Sequence, residues 1–100
     1  MAPSAELQQK LSKTEGWKFY RSKWIQRKYP LKDFAGAIRF VNIIAKVSEE
    51  MQHHPDIMVQ NFSEVIVRSI TPSVENLTSK DFELARKINA EYDKVKYKKS

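Results

Sequence analysis

Between Pro30 and Pro55, the residues Phe34, Ala37, Ile38, Val41, Ile44, Ala45 and Ser48 recur at spacings of three and four, the period of one face of an α-helix. A helix from Asp33 to Met51 with a single apolar stripe must lay that stripe against another layer, and the rest of the chain has to supply it. Both ends are punctuated. Asp33 suits the positive first turn, and Pro55 biases His54 toward extended backbone, so the helix stops by about residue 52.

The flanking segments supply the partner layer. Ser4 is a good N-cap, and Leu7 and Leu11 lie four apart, which predicts a short amphipathic helix over residues 4 to 13 ended by Gly16. Trp17, Phe19, Tyr20, Trp24, Ile25 and Tyr29 alternate with Arg and Lys, as in two half-buried strands with a turn at Arg21-Ser22-Lys23. Ile57-Met58-Val59 and Val65-Ile66-Val67, separated by Asn61, Phe62 and Ser63, read as a second strand pair. After a loop from Pro72 to Asn76, Thr78 and Asp81 form a capping-box pattern and Leu77 and Phe82 a hydrophobic staple. Phe82, Ala85, Ile88, Tyr92 and Val95 are then the buried stripe of a last helix. The fold expected is α+β: a four-stranded antiparallel sheet with three helices on one face, in the order α-β-β-α-β-β-α. It leaves one sheet face and two edges open, which favours self-association through an edge or a helix face.

One hundred residues can build one compact core, so residues 1–100 are expected to be a single domain with flexible ends at 1–3 and 97–100. No apolar run is long enough to span a bilayer, and no secretory signal opens the chain. A cytoplasmic protein is expected. With no cysteine, disulfides, thiolate nucleophiles and cysteine zinc sites are excluded. The net charge of +6 falls to +2 without the terminal Lys94, Lys96, Lys98 and Lys99. Arg21, Lys23, Arg27 and Lys28 beside an open sheet face would be a nucleic-acid surface, but no basic recognition helix or aromatic-glycine RNA motif accompanies them. Direct nucleic-acid binding is therefore not expected.

The two histidines, His53 and His54, are adjacent, after the long helix and before a proline. Successive extended residues point to opposite sides, so the two rings are expected to do different jobs. They either cap the helix, bonding its free carbonyls, or do proton chemistry, since imidazole is the side chain that titrates near neutrality. Adjacent histidines with no third histidine or cysteine are poorly arranged for a metal ion.

Lys32-Asp33-Phe34, Phe40-Val41-Asn42 and Glu49-Glu50-Met51-Gln52-His53-His54-Pro55-Asp56-Ile57 resemble the long helix and signature of the pterin-4a-carbinolamine dehydratases. Leu77-Thr78-Ser79-Lys80-Asp81-Phe82 with Leu84-Ala85 resembles that family's entry into its last helix, and with Gly16-Trp17 the similarity spans residues 7 to 92. The resemblance implies a lyase that dehydrates a 4a-hydroxytetrahydropterin to the quinonoid dihydropterin, recycling tetrahydrobiopterin, with no cofactor beyond the pterin substrate. It implies His53 as general acid/base beside the 4a-hydroxyl and His54 as the residue that orients the pterin. Glu49, one helical turn before His53, is implied at the pocket rim, placed to pair with that imidazole or with the polar pterin edge. Pro55, Thr71 and Pro72 complete the implied substrate contacts. Asp81 matches a family aspartate near the site, and its capping-box position explains it as a structural residue.

Members of the family carry a third histidine nine residues before the aspartate corresponding to Asp81; that position here is Pro72, and an ungapped count from His53 gives Thr71. The departure implies slower turnover with a preference for one 4a epimer. Ile57 stands where an aromatic often follows the proline, so stacking on the pterin is not expected. The resemblance also implies a homodimer or homotetramer. It offers a second reading, a catalytically weak member acting as a protein-binding dimerisation cofactor of a homeodomain transcription factor, which would add a nuclear location.

Overall fold

The computed structural model describes residues 4–21 and 23–96. The expectation of flexible ends at 1–3 and 97–100 lies outside these residues, as does Ser22. Three helices, α1 (Ala5–Ser12), α2 (Phe34–Met51) and α3 (Ser79–Val95), accompany four strands, β1 (Lys18–Tyr20), β2 (Trp24–Pro30), β3 (Asp56–Gln60) and β4 (Glu64–Ser69). The order α-β-β-α-β-β-α is the one read from the sequence, with a 3₁₀ turn at Pro72–Val74 before α3. The strands form one antiparallel sheet in the order β1-β2-β4-β3.

Register decides which side chains reach the core. Ile25 pairs with Ser69, Arg27 with Val67 and Tyr29 with Val65, and Val67 and Val65 pair in turn with Ile57 and Val59. These residues face the helices, because side chains alternate along a strand. Gln26, Lys28, Ile66, Arg68 and Met58 fall on the other, open face. Ala37, Phe40, Ile44 and Ser48 from α2 and Phe82, Leu84, Ala85, Ile88 and Tyr92 from α3 close over the inner face. Leu7 and Leu11 of α1 pack at the core's edge.

The structure rotates the expected stripe of α2. Phe40 is fully buried while Phe34 is 55% and Ile38 39% exposed, and Ala45 also faces solvent. Ala37, Val41, Ile44 and Ser48 of the expected stripe keep their core contact, and Phe40, Ile43, Val47 and Met51 join them. Phe40 meets Tyr29 edge-on at 5.0 Å, and Tyr29 lies 4.8 Å from Tyr92. A core aromatic of that size is worth about 3–5 kcal/mol on truncation, which outweighs the periodic match of the smaller positions. Asp33 is the N-cap of α2 rather than a first-turn residue; its Oδ1 accepts from Gly36 N at 2.7 Å. Val95, expected to be buried, is 44% exposed near the end of α3.

Beside this core lies a polar cluster on the third turn of α3. Asn89 Oδ1 accepts from Trp17 Nε1 at 3.0 Å, an Arg27 guanidinium nitrogen at 2.8 Å and Tyr29 OH at 2.6 Å. Asn89 Nδ2 and Arg27 both donate to Glu15 O at 2.9 Å. The Arg27 guanidinium lies 4.5 Å from the centre of the Tyr29 ring and 5.3 Å from that of Tyr92, within cation–π range. Arg27 is therefore withdrawn from the basic surface proposed for nucleic acid, and Lys28, on the open face, pairs with Glu64 at 3.7 Å. Burial pushes the Tyr29 hydroxyl well above the usual tyrosine range, and Tyr92 moves the same way for the same reason. Gly16, at φ +81°, is held to glycine twice over: by its backbone, and because a Cβ there would fall 2.5 Å from Arg27 Nε.

Candidate active site

The site begins where α2 stops. Gln52 takes the left-handed conformation at φ 54°, its N–H bonds Glu49 O at 3.2 Å and the N–H of His53 bonds Ser48 O at 3.1 Å. This is a Schellman turn built without glycine. It reverses the chain so that His53 turns inward and His54 outward, and Pro55 leads directly into β3.

His53 is 6% exposed, yet its surroundings are polar. Its Nε2 lies 2.7 Å from Asp81 Oδ1. Asp81, fully buried on the first turn of α3, also receives Ser69 Oγ at 2.5 Å, Thr71 Oγ1 at 2.7 Å and Thr78 N at 2.9 Å. The last of these is half of a complete capping box with Thr78, and the helix N-terminus adds a favourable dipole for a carboxylate. A carboxylate only accepts, so the partner assigns a hydrogen to Nε2 of His53. Asp81 thus starts the helix and holds the imidazole with the same side chain, joining the capping role and the place near the site that the sequence suggested for it.

His54 and Glu49 form a second pair, Nε2 to Oε2 at 2.7 Å, with both side chains more than half exposed. Glu49 was expected to pair with His53 or with the polar pterin edge. It reaches His54 instead, because the left-handed residue at Gln52 swings His53 beneath the helix end and leaves the outer ring on Glu49's side. The expectation that the two rings do different jobs fits this division. Thr71, half-buried, joins the Asp81 cluster and also bonds Thr78 Oγ1 at 2.8 Å. Pro72 is exposed and opens the 3₁₀ turn; it has no proton donor to offer. Pro55 is half-buried, and Ile57 packs partly against the core. A shallow cavity of about 230 Å³ lined by Asp56, Ile57, Met58, Ile66 and Arg68 follows in the chain and includes neither histidine. Among the described residues no three His, Cys, Asp or Glu side chains converge as metal ligands, and no helix is long and apolar enough to cross a membrane.

Sequence reasoning missed Ser69. The signal was present: inward positions of β4 read Val65, Val67, Ser69, and a hydroxyl at the third is out of place in an apolar row unless it meets a buried acceptor. Asn89 was missed for a simpler reason, since its three donors come from residues 60 or more positions away.

Comparison with known proteins follows the same outline. Residues 2–91 match the family model described as pterin 4 alpha carbinolamine dehydratase. A Sulfolobus acidocaldarius protein provisionally named pterin-4-alpha-carbinolamine dehydratase is 37% identical over 84 residues, covering 84% of this chain and 90% of its own. A Trichormus variabilis protein of the same provisional name is 40% identical over 85 residues, covering 85% and 89%. The crystal structure of a transcriptional coactivator/pterin dehydratase from Brucella melitensis superposes with a TM-score of 0.81 at 30% identity, over 89% of this chain and 95% of that one. A pterin dehydratase-like RuBisCO assembly factor of the alpha-carboxysome shares the fold, with a TM-score of 0.63 at 17% identity over 76% and 88%.

Proposed function

The chain belongs to the pterin-4a-carbinolamine dehydratase family, and from that membership together with the buried His53–Asp81 pair we propose that it expels water from a 4a-hydroxytetrahydropterin. The reaction breaks the C4a–O bond, delivers a proton to the departing hydroxyl and removes one from a ring nitrogen, giving the quinonoid dihydropterin and water. His53 carries the proton at Nδ1. Asp81 holds the ring by Nε2 and stabilises its charged form during transfer, which is the work of a positioning residue. His54, braced by Glu49, orients the pterin from the solvent side, with Pro55, Thr71 and Pro72 along the substrate. No step calls for a cofactor or metal.

The observation that carries this reading is the 2.7 Å contact from His53 to a carboxylate with four hydrogen-bond partners. A histidine that only capped a helix would bond carbonyls of that helix. Pro72 supplies no acid on the other face of the pterin, so turnover favours one 4a epimer. Stopped-flow assays on each separate epimer, with the protein and its His53→Ala variant, test both points. Unequal epimer rates that collapse together in the variant are expected; equal rates would defeat the selectivity, and an unaffected variant would defeat the role of His53.

Pro72 also favours the second reading, a weak dehydratase that serves by binding a protein partner as a homo-oligomer. The exposed Phe34 and Ile38 on α2 supply an apolar surface for such contact. Partner binding that survives His53→Ala would separate the two.

A further inference from the structure

Away from the histidines, a groove of about 500 Å³ lies between the first half of α2 and the end of α3, within the size range of small-molecule sites. Its apolar wall is the buried Phe40 with the partly covered Ile43 and Val95, and its rim carries Lys32, Arg39 and Lys96. Among the described residues no carboxylate lines it. Lys96 lies 3.5 Å from Asp93, but among the described residues Lys32 and Arg39 have no ion-pair partner. Asp33, next to Lys32, keeps a negative charge at the groove's edge, its Oδ1 accepting from Gly36 N at 2.7 Å, so the three cations outnumber it there. The positive end of α2 adds to the same field.

We propose that this groove binds a small organic anion, its apolar body against Ile43 and Val95 above the buried Phe40 and its carboxylate or phosphate held by Arg39 and Lys32. A guanidinium presents a planar fork suited to either group. Charge decides against other occupants. A second copy docked about a two-fold axis would bring the same cations face to face, and a nucleic-acid strand needs exposed ring faces along a cationic track, whereas the Phe40 ring is buried. The inference does not use His53, so it can fail without touching the proposed dehydration.

The test is an amide NMR titration of the full chain with octanoate, 2-naphthoate, octyl glucoside and inorganic phosphate. Octanoate or 2-naphthoate should shift Gly36, Arg39, Ile43 and Lys96, with octyl glucoside and phosphate each weaker by about tenfold or more. A preference between the two acids says whether the natural ligand carries an acyl or an aromatic body. Arg39→Glu and Lys32→Glu, both at exposed positions, should each weaken the acid by about tenfold or more while leaving the remaining spectrum in place. Absence of shifts at about 10 mM, equal binding of octyl glucoside, affinity unchanged in both variants, or self-association through the groove that Arg39→Glu abolishes would each overturn the proposal.

Discussion

The last helix carries two polar hubs about two turns apart, Asp81 and Asn89, and they differ in what surrounds them. Asn89 Oδ1 receives an indole, a guanidinium and a phenol, all fixed donors in the neutral range, with the phenol of Tyr29 pushed further from ionisation by burial. Asp81 receives two hydroxyls, a backbone amide and the imidazole of His53. One hub therefore locks β2, the residue before β1 and α3 in a single arrangement; the other includes the imidazole proposed above as the proton carrier. Equal density of hydrogen bonds does not mean equal function. The partner's chemistry makes the difference.

The widest separation should come from His53→Ala, which removes the proton carrier: dehydration falls roughly 10²- to 10⁴-fold in single-turnover assays, while Asn89→Ala leaves activity per folded molecule unchanged. Stability should separate the hubs in the opposite direction. Asn89→Leu removes the shared acceptor and leaves the Tyr29 hydroxyl without one, while Trp17 Nε1 keeps Tyr29 OH and Arg27 keeps Glu15 O; it should cost about 1–3 kcal/mol in urea unfolding, with no change in the pH–rate profile. Gly16→Ala breaks the same hub from outside, since a left-handed alanine and the displaced Arg27 should together cost about 1–2 kcal/mol by thermal melting. The gentlest probe is pH. Tyr29 ionises in the unfolded chain near pH 10 but is held neutral well beyond that when folded. Its contribution is fully present below pH 10 and is lost as pH rises through the alkaline range, because only the unfolded state gives up the proton. Melting temperature against pH should fall on that side, and Tyr29→Phe should flatten the slope.

Much of this arrangement was legible in the sequence, and for definable reasons. Periodicity, prolines and the Thr78–Asp81 capping pattern are local, so the order of elements and both ends of α2 followed from a few neighbouring residues each. The rotation of α2 was not legible. Phe34, Ile38 and Phe40 are all apolar on the same helix, and only the positions of Tyr29 and Tyr92 across the core make Phe40 the buried one. The histidines were legible as a pair but not in their pairing. Which carboxylate each ring meets depends on the left-handed turn at Gln52, where the sequence offers no glycine as a signal. Ser69 and Asn89 act through contacts set by sheet register and helix packing, which no short window of sequence contains.

Because one aspartate both begins the final helix and steadies the inner imidazole, loss of chemistry during evolution would leave it in place: any descendant still needs that helix to start. Asp81 in a related chain is thus a poor marker of turnover. Under the proposed chemistry, His53 is the position whose replacement would mark a lineage that had given up catalysis and retained only the scaffold.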